Sequence, residues 1–137
     1  MDFKLFYKSY DYKPSLAAIK QFKEATDLDL WSSLIKYMVC FTESRSNGDS
    51  LGDMIYKLSN VLDFVQSAQL FYCLAKQSNS NLSIDEIEDA MFHAGILPSS
   101  ADTGLCEPYP IILYSIALDV QGYHASLANE KKPLAHL

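Results

Sequence analysis

The chain has 137 residues, enough for one domain with a real core and too few for two. Hydrophobic residues make up 49% and charged residues 20%, a globular balance, and the formal net charge is −6. The eleven basic residues are scattered singly or in pairs, which argues against a nucleic-acid binder, and no apolar run approaches the roughly 20 residues needed to span a bilayer.

Residues 2–12, DFKLFYKSYDY, alternate as a strand does, with Phe3, Leu5 and Tyr7 on one face and Lys4, Phe6 and Lys8 on the other. A lone strand is not stable in water, so it must pair with a segment such as Tyr10 to Lys13 or with another subunit. Pro14 suits the first turn of a helix, on which Leu16, Ile19 and Phe22 form the apolar side until the helix stops near Thr26. Asp27 or Asp29 can cap the helix that follows, where Leu30, Trp31, Leu34, Ile35, Met38 and Val39 make a wide apolar stripe.

TESRSNGDS is a loop by composition, and a third helix follows it with Leu51, Ile55 and Leu58 on its buried face. Asp63 can cap a fourth helix, FVQSAQLFYCLAKQ, whose Phe64, Val65, Ala68, Leu70, Phe71, Leu74 and Ala75 place it at the centre of the core. Ser83 followed three residues later by Glu86 spells a capping box, in which each side chain bonds the other residue's backbone N–H. Asp85, Glu86, Glu88 and Asp89 then suit the positive end of a helix dipole, Ile84, Ile87, Ala90 and Met91 give its apolar face, and Gly95 stops it. After the Pro- and Gly-punctuated loop 96–110, Pro110 opens a final helix, IILYSIALDVQGY. The expected fold is mainly α: a compact bundle of about five to six helices with a short N-terminal β-strand or hairpin. It occupies residues 1–124 as a single domain, with 125–137 as a flexible tail that Pro133 keeps from continuing the helix.

Chemistry-bearing patterns are sparse. His93, His124 and His136 have no metal-site spacing, and His93 is explained by the C-terminal end of its helix. The five glycines stand alone and none begins a phosphate loop. Cys40, Cys73 and Cys106 are odd in number and widely separated, as reduced thiols are. Cys106, in GLCEPYP, is the best nucleophile candidate, yet Glu107 beside it would raise the thiol pKa. No catalytic, cofactor-binding or metal-ligating residue is assigned, and no cofactor is expected. Six of the nine tyrosines (Tyr7, Tyr10, Tyr12, Tyr109, Tyr114 and Tyr123) lie toward the two ends of the chain, where such side chains can serve an interface or pack at the edge of a small core.

Four segments together resemble one family. They are the aromatic N-terminal strand, the helix closing in FKEATDLDL, the stretch LSNVLDFVQSAQLFYCLA, and NLSIDEIEDAMFHAG. Over roughly residues 3–122 the chain resembles the tail assembly chaperones of long-tailed bacteriophages and prophages. Their first helix closes in a turn of the pattern Glu-x-Thr-Gly-x-(Asp/Ser)-Leu, matched here by Glu24 to Leu30 with Asp27 where glycine is usual. The resemblance implies a non-enzymatic, self-associating helical protein of the host cytoplasm. Its partners would be the tape measure protein and the tail tube protein, with neither nucleic acid nor membrane among them. It also implies a ribosomal slip near the end of the gene, for which the codons of Glu130-Lys131-Lys132 are a candidate. Self-association is expected at Phe3, Leu5 and Tyr7, and partner binding beside Trp31 and Ile35. The alternatives are a small acidic helical adaptor or immunity-type inhibitor binding a basic protein, and a thiol enzyme built on Cys106 and a histidine.

Overall fold

The structure, a computed structural model, describes residues 1–97 and 107–135. Its described residues form a two-stranded hairpin and six helices, the mainly α fold that the sequence pattern implies. The N-terminal strand finds its partner within the chain: β1 (Asp2–Leu5) pairs antiparallel with β2 (Lys8–Asp11), Phe3 opposite Tyr10 and Leu5 opposite Lys8. The loop between them is only Phe6 and Tyr7, with φ of 43° and 66°. A two-residue hairpin turn of this twist demands positive φ at both positions, which non-glycine residues adopt at a cost. Tyr7 therefore leaves the alternation, and only Phe3, Leu5, Tyr10 and Tyr12 turn into the core.

Local side chains close most helix N-termini, and backbone N–H groups close the C-terminal ends. Ser15, not Pro14, is the N-cap of α1 (Leu16–Thr26), its hydroxyl accepting Ala18 N–H at 3.1 Å. The first helical residue is thus two positions later than Pro14 suggests. Asp27 ends α1 in the left-handed region (φ 61°), its N–H bonding Lys23 O at 2.8 Å, while Asp29 caps α2 (Leu30–Ser46) through Ser32 N–H. Ser50 caps α3 (Leu51–Val61). At α4 (Phe64–Lys76) Asp63 and Gln66 form a complete capping box. Ser83 caps α5 (Ile84–Ala94) by accepting Glu86 N–H, but Glu86 does not reciprocate: its carboxylate reaches back to the hairpin. Gly95, at φ 76°, ends α5 as expected.

α4 is the central helix, with seven of its 13 residues buried between α1 and α5. α2 packs on α3 and α6 (Tyr109–Ala135), and β1 lies against α5 and α6. Phe41 of α2 stacks on Tyr114 of α6 at 3.9 Å, and Phe3 of β1 meets Phe71 of α4 at 5.1 Å.

Several expected faces are rotated. α2 buries Leu30, Leu34, Tyr37 and Phe41, with the small Ser33 and Ser44 between its neighbours. Ile35 and Val39 lie about 140° and 180° round the axis from Leu30 and are exposed. Leu16, Leu51 and Val65, expected inside, are also exposed, and Ala18 and Met54 fill the facing positions on α1 and α3. α6 runs on past Tyr123 to Ala135, through Pro133. A proline so near a helix end removes one backbone bond, and its fixed φ is already helical.

Candidate interaction surfaces

The hairpin is held from below by one carboxylate. Directly paired residues of a hairpin share a face, so Lys8, opposite Leu5, points toward the bundle, as does Tyr10. Glu86 Oε2 accepts from Lys8 Nζ at 2.9 Å and from Tyr10 OH at 2.7 Å. The Lys8 bond first, then the Tyr10 bond, holds the Glu86 carboxyl below the usual glutamate range. Burial, with Glu86 second, pushes the Tyr10 phenol up.

Two of the three residues expected to mediate self-association are core residues of one molecule. Phe3 is 6% exposed and Leu5 fully buried, because the hairpin folds back on its own bundle and its apolar face is covered from within. Neither side chain offers an outer surface. Tyr7 remains at the hairpin tip, half exposed (51%), its ring 4.8 Å from Phe6.

The structure also separates Trp31 from Ile35. Trp31 is half-buried, edge-on to His124 of α6 with ring centroids 4.1 Å apart. Ile35 instead lines a groove of about 300 Å³ along α2 with Val39, Cys40, Glu43 and Asn47, bounded by Lys57 of α3. From Ile35 to Asn47 the groove spans about 18 Å of helix, a little over three turns. Its lower wall is tied together by Asp49, which accepts from Lys57 Nζ and from the buried Ser44 hydroxyl, each at 2.5 Å. The Lys57 bond, then that of Ser44, lowers the Asp49 carboxyl, and Asp49 in turn raises Lys57.

Thiol chemistry finds no support at Cys40 or Cys73. Burial raises both pKa values, that of Cys73 to about 11, the wrong direction for a nucleophile. Cys106 and His136 lie outside the described residues. His93 Nδ1 is 2.8 Å from Asp89 O at the end of α5, and His124 is on Trp31. Among the described residues no group of three or more His, Cys, Asp or Glu is placed to hold a metal ion, and no helix is long and apolar enough to cross a membrane.

Sequence reasoning left the exposed Phe92 without a role. Phe92, outside the Ile84, Ile87, Ala90 and Met91 face of α5, is 75% exposed. Its helical position, one residue past Met91, was the available signal. No family model, curated protein or solved structure matches this chain.

Proposed function

We propose that this protein is a tail assembly chaperone of a long-tailed phage or prophage, a non-enzymatic scaffold acting in the host cytoplasm. It binds the tape measure protein, keeps it soluble in several copies, and helps tail tube subunits assemble around it. The observation that carries the reading is the α2 groove: Ile35 and Val39 are 45% and 42% exposed along it, with Lys36, Glu43 and Lys57 among its lining residues. A groove about three turns long, apolar at Ile35, Val39 and Cys40 and polar beyond, with charges of both signs, suits the helix-in-groove mode by which a long coiled partner would be held. The resemblance of the four sequence segments supplies the identity of that partner.

The test is co-expression with the large helical protein encoded just downstream, followed by pull-down and a mass measurement. A soluble complex with many copies of this chain is the expected result, and Ile35→Ser with Val39→Asp should abolish it without lowering Tm. A precipitated partner beside a lone monomer would refute the reading and favour the acidic adaptor.

A further inference from the structure

A second face, made of different elements, carries a contact of its own. Phe92 is the most exposed large apolar side chain among the described residues, and it belongs to a continuous row of rings. Tyr7 lies 4.8 Å from Phe6, Phe6 lies 5.2 Å from His93, and His93 lies 5.6 Å from Phe92. The hairpin tip and the end of α5 thus present one aromatic strip, half to three-quarters open at its two ends. At 100° per residue, Asp85, Glu88 and Asp89 fall on the same outward stripe of α5 as Phe92. The nearby lysine is committed, Lys8 being bonded to Glu86, and the His93 ring lies 3.6 Å from the Asp89 carboxylate.

We propose that this strip docks a basic amphipathic helix from a partner protein. An apolar residue of that helix would seat against Phe92 and Phe6, and its Lys or Arg side chains would face Asp85, Glu88 and Asp89. Charge complementarity selects this occupant. A second copy of the chain would bring the same three carboxylates and a net charge of −6 to the contact. A phosphate backbone or an anionic membrane would meet the same repulsion. The proposal is independent of the α2 groove.

The probe is a synthetic Leu/Lys amphipathic peptide of about 18 residues, long enough to form a helix on binding. Its counterpart carries Glu in place of Lys. Anisotropy titrations at about 50 and 300 mM salt should show binding of the Lys peptide that weakens with salt, and none of the Glu peptide. Phe92→Ser should weaken binding about 10-fold or more. Asp85→Asn, Glu88→Gln and Asp89→Asn together should flatten the salt dependence, while Ile35→Ser with Val39→Asp should leave affinity unchanged. Full affinity in Phe92→Ser would overturn the proposal, as would no binding by the parent protein or loss of binding in the groove variant. So would a concentration-dependent dimer, seen by sedimentation, that Phe92→Ser abolishes, since the occupant would then be a second copy.

Discussion

Tyr10 and Tyr12 lie two residues apart on the same face of the hairpin region and are both 2% exposed, yet removing their hydroxyls should have opposite effects. Tyr10 OH donates to Glu86 Oε2 at 2.7 Å. Tyr12 OH is buried with no hydrogen-bond partner among the described residues. Burying a hydroxyl that bonds nothing costs about 1–3 kcal/mol. Tyr12→Phe keeps the ring beside Phe3 and removes only that atom, so it should stabilise the fold by about 1 kcal/mol. A bond to a charged acceptor is worth about 1.5–3 kcal/mol when enclosed. The Glu86 side chain is 38% exposed, so solvent screening reduces the expected loss in Tyr10→Phe to about 1 kcal/mol. With a urea slope of about 1.5 kcal/mol/M, the two midpoints should move by roughly 0.7 M in opposite directions. A lower midpoint in Tyr12→Phe would refute the reasoning, because the hydroxyl would then have a partner. Asp119 and Asp2, which after burial push this phenol's pKa up, are where that partner would be sought.

Three further outcomes follow from the helix ends and the hairpin clamp. Asp27→Gly should raise Tm by about 2–4 °C, because glycine takes φ 61° without strain and only the exposed 3.5 Å link to Lys23 is lost; an unchanged or lower Tm would count against the strain argument. Asp63→Ala, which opens a two-bond capping box, should cost about 1–2 kcal/mol in urea unfolding, and Ser83→Ala, which removes one 3.2 Å bond, no more than about 1; the reverse order would show that Glu86 closes its box after all. The folded-state pKa of Glu86 lies below its ordinary value, so its stabilisation is present above the unfolded pKa and disappears as pH falls through the folded one. Glu86→Gln should therefore lower the urea midpoint at pH of about 7, with the gap to the parent protein closing on acidification below the ordinary glutamate range; a gap that widens on acidification would contradict the clamp.

The Glu86 carboxylate shows where local reading ends. Three residues after Ser83 it has the spacing of a capping box, and within α5 alone that is the best bond on offer. Lys8 and Tyr10, 78 and 76 residues earlier in the chain, offer a cation and a hydroxyl instead, and only folding brings them there. Phe3 and Leu5 show the same limit from the other side. Their alternation is legible, but whether that apolar face meets another molecule or its own bundle depends on where the hairpin lands. Trp31 and Ile35 read as one stripe, and α6 takes the first while the second stays open. The aromatic strip at Phe92 joins two segments that nothing in the sequence links.

By itself the sequence determined the helical class, the central place of α4 and the caps at Asp63 and Ser83, and narrowed the cap of α2 to Asp27 or Asp29, a choice that fell to Asp29. Those signals act through side-chain to backbone bonds spanning three residues and through runs of apolar residues too long to leave exposed. The tertiary structure alone decided which apolar residues are buried and which form surface. Each helix carries more apolar positions than its neighbours can cover, and packing chooses among them. Leu34, Tyr37 and Phe41 are buried where α2 packs on its neighbours, so Ile35 and Val39 are left to the outside.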